Sequence, residues 1–452
     1  MSSSVAGSKK DRAHSRAPWL AGGHPPAWLL VVTGLACGFG VFLTSFTSLL
    51  GSVSRWSAFT SACREGVLLP ALILSFITYA LGRGFSPTNV VVGRGASRGS
   101  GRIWLRYCAA LTIATLIGYT IGLAPLAVKL SLRASWGNPD LLALLDAFAV
   151  LGFLVVFDMA LAIVFHGRWG VLIIPVITAV TVCSLLVVNE AVLVNSGHSS
   201  LLFSSVWNDQ SPVLGYQITT VTHLLRILFF AMLALLSARI SIRVLDGERA
   251  TGDPASWVIA VATSGALLFS VLASPALFSR VGFSPDCSAT PAGATLCLHP
   301  ADDAVRDEIV PIVDRVARLT STQRSIFVEY VSGSDPTNGK GKGFYIAVDG
   351  KGNVDENALV TQLSGEVLMP DGYCGDDNQD ASGAAFAVYD ELNRRLGVGG
   401  VSQSVSDGES LDSSQTVPGA GFRQMSDKQF TAWISTHAET IRTCTIQEND
   451  LP

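Results

Sequence analysis

Charge is what this chain has least of. Only 15% of its 452 residues are Asp, Glu, Lys or Arg, while 49% are hydrophobic, and the mean hydropathy is +0.43. Soluble domains carry roughly 25% charged residues, so most of the chain is expected in lipid. Lysine is scarce, at 7 residues against 24 arginines. Catalytic signatures are scarce as well. No P-loop is present, so any ATP-driven role needs an ATPase on another chain. The stretch Gly333 to Gly341, GSDPTNGKG, lacks the loop's spacing and has Gly341 where a Ser or Thr should follow Lys340. It reads as a turn between strands. There is no His-Glu-x-x-His, which removes the common zinc-protease layout, and no serine-hydrolase nucleophile elbow is expected. Neither an enzyme nor a cofactor is therefore expected.

What the chain has instead is apolar runs. Seven stretches approach the roughly 20 residues that a spanning helix needs: 27–50, 66–82, 107–130, 141–165, 170–194, 217–238 and 257–278. The second is short and contains Pro70, and Pro125, Pro175 and Pro275 sit in or at the end of others. Proline is tolerated in such helices because neighbours satisfy the freed backbone groups. The run from Ala27 is too long for the core of a signal peptide, so it reads as a retained first helix.

The charges that are present are unevenly placed. The balance is +8 up to Phe278 and −12 from Ser279 onward, giving the net −4. An acidic tail does not suit phosphate binding, so no nucleic-acid partner is expected. With the N-terminus in the cytoplasm, the inner segments hold 13 basic residues, including Lys9, Lys10, Arg83, Arg94, Arg168 and Arg239. The outer segments hold only Arg55, Arg64, Lys129 and Arg133. Positive charge favours the cytoplasmic side, and an odd number of spans then puts the tail outside. The expected architecture is an α-helical polytopic membrane bundle of about seven transmembrane helices followed by a soluble α+β domain. A basic cytoplasmic leader covers 1–26, the bundle 27–278, and an extracytoplasmic acidic domain 279–452 of a plasma-membrane protein.

The tail alternates helix and strand patterns. Residues 304–319 place Val305, Ile309, Ile312, Val313, Val316 and Leu319 at helical spacing, with Asp302 and Asp303 as caps. Residues 325–331 alternate as a strand, 344–348 form another, and 384–396 a second helix. Residues 404–421 are rich in Ser, Gly and Asp and read as a mobile loop. Ser426 and Gln429 make a capping box for the last helix. Cys287, Cys297, Cys374 and Cys444 are an even set in an exported domain, which suggests disulfides. Of three pairings, Cys287 with Cys297 and Cys374 with Cys444 is preferred. Cys297 and His299 have no second pair at zinc-ligand spacing, and Asp371, Asp376, Asp377 and Asp380 lack a calcium loop's glycine and glutamate, so no metal site is expected.

Polar residues inside the apolar runs are the functional candidates, because they are costly in lipid. Asp146, Glu190, His223 and Arg226 lie roughly 6 to 13 Å below the outer edge, at about 1.5 Å per residue. They form a candidate intramembrane polar cluster that could line a substrate path; the competing reading is an ion pair that fixes helix packing. Asp158 lies deeper, toward the inner face, where it is expected to meet either the inner interface or Arg239.

Cys297-Leu298-His299-Pro300 opens a helix after the last span, and the chain closes with MSDKQFTAWISTHAETIRTCTIQENDLP over 425–452. On these segments the chain resembles actinobacterial ABC-transporter-associated membrane permeases with a C-terminal domain of unknown function. The resemblance implies a permease-like subunit of an ABC export system, paired with a separately encoded ATPase and working as a homo- or hetero-dimer of transmembrane subunits. Family permeases usually have six spans and a coupling helix after the second. Here that loop, Arg83 to Arg106, is rich in Gly and Ser. The alternative is a membrane-anchored extracytoplasmic ligand-binding or sensing protein without transport.

Overall fold

The computed structural model describes residues 25–85, 99–196, 206, 215–246, 254–273, 278–321, 325–327, 346–349, 351–368, 379–398 and 419–452, with side chains of 184–196, 270–273 and 325–327 excepted. The protein is mostly helical, with few strands. Among the described residues, five helical segments are long and apolar enough to cross a membrane: Ala27–Leu50 (α1), Trp56–Phe85, Ser100–Arg133 (α4), Leu141–Val164 (α5) and Thr220–Leu245 (α7). Helices α6 (Gly170–Ser196) and α8 (Pro254–Ala273) are apolar over the shorter stretches Gly170–Cys183 and Pro254–Phe269.

The second segment differs from the short run expected at 66–82. It begins ten residues earlier with α2 (Trp56–Glu65), breaks at Gly66–Val67, and continues as α3 (Leu68–Gly82) and a 3-10 turn at Arg83–Phe85. Pro70 explains the break, since it has no N–H to donate to Gly66 four residues back. Helix α2 is amphipathic and turns Phe59, Ala62 and Cys63 into the bundle. Arg64, read from sequence as part of an outer segment, is buried on α2.

Helices α1 and α4 approach most closely, because small residues recur every fourth position where they cross. A Cβ on Gly38 would lie 2.6 Å from the Gly118 carbonyl oxygen, and one on Gly118 only 1.9 Å from that of Gly34. Gly122 meets Gly38 in the same way, at 2.3 Å. In lipid, helices associate through such close backbone packing rather than through the hydrophobic effect. Lys129 of α4 donates to the carbonyls of Ser48 and Gly51, at 2.7 and 2.6 Å, and so caps the C-terminal end of α1. Opposite this seam, Leu35, Phe39, Ile113, Ile117 and Ile121 are exposed, as a lipid-facing surface requires.

A second hydrophobic core lies in the tail. Strand β3 (Asp286–Ala289) pairs antiparallel with β4 (Thr295–Leu298), which pairs parallel with β5 (Ser325–Phe327). Cys287 and Cys297 sit opposite each other in the register and form a disulfide. Cys444 is also disulfide-bonded, while Cys374 lies outside the described residues. Helices α9 (Arg306–Thr320), α10 (Glu356–Leu368), α11 (Gln379–Arg395) and α12 (Asp427–Arg442) enclose Ile309, Val313, Leu359, Leu363, Val388, Leu392, Phe422 and Phe430. Ser426 and Gln429 form the capping box of α12. Helix α9 starts later than the pattern at 304 implied, because a 3-10 turn at Pro300–Val305 precedes it. Asp302 and Asp303 do not cap it. His299 instead accepts from the Ala301 N–H at the start of that turn. Near the expected strand at 344–348, only an isolated bridge between Val348 and Val354 is found among the described residues. The expected loop at 404–421 lies outside them except for its last residues, where Gly419 precedes a 3-10 turn at Ala420–Gln424.

The tail rests on one end of the bundle. The Ser52 N–H donates to Asn353 Oδ1 at 3.2 Å, and the Ser52 hydroxyl to Glu308 at 3.0 Å. Arg55 Nε donates to Asp302 Oδ1 at 2.5 Å, and the Ser135 hydroxyl to the Pro300 carbonyl at 2.5 Å. These partners follow α1 and α4 and precede α5, so those helix ends share the tail side. Strand β1 (Tyr216–Ile218), just ahead of α7, pairs antiparallel with β2 (Phe278–Arg280), just after α8. The entry to α7 and the exit from α8 therefore lie side by side at the same end.

Candidate functional site

The tail-side half of the bundle encloses a network of charged side chains. It begins with Asp140, which ends the α4–α5 loop. As N-cap, its carboxylate accepts from the N–H groups of Leu142 and Ala143 at 3.0 and 3.1 Å, satisfying donors that a helix start leaves open. One turn and a half into α5 stands Asp146, and facing it on α7 are His223 and Arg226. The α7 start is fixed by Thr219, whose hydroxyl accepts from the Thr222 N–H. Positions 223 and 226 are three apart and so share the face that α7 turns to α5.

Arg226 Nε donates to Asp146 Oδ1 at 2.5 Å, and Arg226 Nη2 to the Val206 carbonyl at 3.2 Å. Its guanidinium also lies over the Phe230 ring, 5.3 Å from the centroid. His223 lies between two carboxylates. Nε2 is 3.2 Å from Asp140 Oδ2, and Nδ1 is 3.6 Å from Asp146 Oδ2. Both are ion-pair distances, although neither ring nitrogen is aligned for a hydrogen bond. Asp146, His223 and Arg226 are each 2 to 3% exposed, while the Asp140 side chain is 27% exposed and forms the network's outlet. Burial alone would raise the Asp140 carboxyl, but His223 beside it and the two backbone N–H groups hold it below its ordinary range. Tyr119 of α4 donates to the Cys63 carbonyl at 2.7 Å and ties α2 to the same level.

Three of the expected cluster residues, Asp146, His223 and Arg226, thus come together. The fourth, Glu190, is carried by α6, and its side chain lies outside the described residues. Asp140 was missed: its place before an apolar run reads only as a cap, and its contact with His223 depends on how α5 meets α7. Of the two surroundings expected for Asp158, the inner interface or Arg239, the pairing with Arg239 is not found. The Thr178 hydroxyl of α6 donates to Asp158 Oδ1 at 2.7 Å. Of the acidic set near Cys374, Asp371, Asp376 and Asp377 lie outside the described residues, and Asp380 sits in the first turn of α11. Among the described residues no group of three or more His, Cys, Asp and Glu could hold a metal ion. The reading that the chain has no Gly-x-Ser-x-Gly string is corrected: Gly95-Ala96-Ser97-Arg98-Gly99 spells it just ahead of α4, with Ser97 outside the described residues.

The second polar contact is the joint between bundle and tail. His299 is fully buried and packs between Trp136, 4.6 Å away, and Phe283, 4.1 Å away. Burial pushes its imidazole down to about 4, and the Arg55 guanidinium adds to this. Burial raises the neighbouring Asp302 carboxyl, and Arg55 only partly offsets the rise. The joint therefore holds His299 neutral beside a buried ion pair.

No protein-family model, curated protein or solved structure matches the chain.

Proposed function

We propose that this chain is a permease-like subunit of an ABC export system, spanning the plasma membrane seven times, with a cytoplasmic N-terminus and an extracytoplasmic tail. The observation that carries this reading is the buried network of Asp140, His223, Asp146 and Arg226 directly beneath the docked tail. An anchor has no use for charges enclosed at such cost, whereas ionisable residues facing a bundle interior mark substrate or ion paths. The side-by-side placement of β1 and β2 supports seven spans. With α7 leaving from the tail side and α8 ending there, a return of α8 through the bundle fits this reading. The basic ends of α4, at Arg102 and Arg106, and of α7, at Arg239 and Arg243, then face away from the tail, where a partner ATPase would dock.

The reading is tested by purifying the tagged chain gently from native membranes. A stoichiometric ATPase whose turnover falls when Arg226 is replaced by Ala supports it. A chain that purifies alone, where a known exporter keeps its ATPase, contradicts it. The joint at Arg55, Asp302 and His299 favours a second reading, in which the bundle anchors an extracytoplasmic ligand-binding or sensing domain and relays its state. That reading predicts no associated ATPase, and a change in joint packing when the tail binds a ligand.

A further inference from the structure

We propose that Asp158 is a proton-binding site in the half of the bundle farther from the tail, separate from the network above. The inference rests on the bundle lying in lipid, not on the permease reading. Asp158 is 0% exposed and lies near the end of α5 that faces away from the tail. Its Oδ1 accepts from the Thr178 hydroxyl at 2.7 Å, and its Oδ2 has no hydrogen-bond partner. Toward that end of the bundle, the titratable or cationic side chains of the surrounding elements are Tyr79 on α3, Arg83 just after it, Arg102, Arg106, Tyr107 and Cys108 on α4, His166 and Arg168 between α5 and α6, Cys183 on α6, and Arg239 and Arg243 on α7. None of them forms an ion pair with Asp158. Tyr79 donates instead to the Gly167 carbonyl, and Arg83 lies over the Tyr79 ring.

An isolated carboxylate enclosed in this way would lack both solvent and a counter-charge, an arrangement that proteins resolve by neutralising the group. The carboxylate therefore takes a proton on Oδ2 and becomes a neutral carboxylic acid, whose carbonyl oxygen still accepts from Thr178. A metal cation fits poorly, since no further acidic, His or Cys ligand gathers there among the described residues. The contact also links movement to protonation. Asp158 belongs to α5 and Thr178 to α6, so parting these helices breaks the hydrogen bond and admits water. In water the acid ionises in the ordinary carboxyl range, and the proton leaves.

Infrared spectroscopy of the full chain in lipid tests this. At neutral pH the wild type should show the carbonyl stretch of a protonated carboxyl, shifted in heavy water, and the band should vanish in Asp158→Asn. That variant should keep its folded yield and thermal midpoint, because an amide mimics the neutral acid and still accepts from Thr178. A wild type and variant with identical bands would overturn the proposal, since the carboxyl would then be ionised. So would a variant that fails to fold, because it would mean that the negative charge itself is needed. Neither outcome depends on an ATPase, so the permease reading can fail while this one stands.

Discussion

The Asp146–Arg226 pair gives the sharpest test of how the bundle is held. Both side chains are almost fully buried, with Nε 2.5 Å from Oδ1. Replacing Arg226 with Met leaves the Asp146 carboxylate with only His223 nearby. Replacing Asp146 with Leu takes from Arg226 the carboxylate it pairs with, while contacts such as those to the Val206 carbonyl and the Phe230 face remain. Removing one partner of a buried pair strands the other charge and costs about 3–5 kcal/mol. Removing both restores electrical balance, and apolar replacements of similar volume are often neutral or better. Each single variant should therefore lose folded yield and lower the thermal midpoint in detergent, followed by monodispersity on a sizing column. The double variant Asp146→Leu with Arg226→Met should recover most of the loss. A double variant that is as unstable as the two singles combined would refute the reasoning, because the pair would then not be coupled. If the double variant folds but no longer supports ATPase-linked transport, the pair has a role in the path as well as in packing.

Other outcomes follow from the same structure. Gly118→Leu should abolish α1–α4 packing, since even its Cβ would sit 1.9 Å from the Gly34 carbonyl oxygen, and the folded fraction on a sizing column reads this. Arg55→Ala should loosen the tail by removing the partner of buried Asp302, seen as faster protease release of the tail with the bundle intact. Acid should loosen the same joint. His299 titrates at about 4 in the fold against an ordinary 6.5, so the unfolded state gains protons first. Its stabilising effect is complete above 6.5 and is lost as pH falls from 6.5 to about 4. The thermal midpoint of the tail should fall over that window and fall less in His299→Phe, and a slope unchanged by that variant would count against the assignment. Replacing Cys287 and Cys297 with Ser opens a loop with a separation of 10 residues. This should cost about 2–3 kcal/mol of tail stability in denaturant unfolding.

Much of the bundle can be read from hydropathy alone, because lipid makes length and apolarity decisive. Each of the seven apolar runs carries a helix, and Asp146, His223 and Arg226 stood out because charge inside such runs is rare. What could not be read is which helices touch. The Gly34, Gly38, Gly118 and Gly122 seam has the spacing of close-packed helices but went unread, since its meaning depends on α1 meeting α4. Asp140 looked like a cap and is one, but its second role appears only once α5 lies against α7. Depth placed Asp158 toward the inner face, at the interface or near Arg239, but could not tell that α5 turns it toward Thr178 on α6. In the tail, the apolar period of α9 was plain. The docking of Asp302 on Arg55, 247 residues away in sequence, left no local pattern.

The proposed sidedness underlies every functional statement above, and sided thiol labelling tests it most directly. With the free cysteines Cys37, Cys63, Cys108 and Cys183 replaced by Ala, single cysteines are introduced as Ser435→Cys on an exposed face of α12 and as Ser97→Cys between α3 and α4. A membrane-impermeant maleimide is then added to intact cells. The account predicts labelling at position 435 and none at 97 until the cells are opened. Labelling at 97 in intact cells with none at 435 would place the tail inside and contradict the proposed orientation.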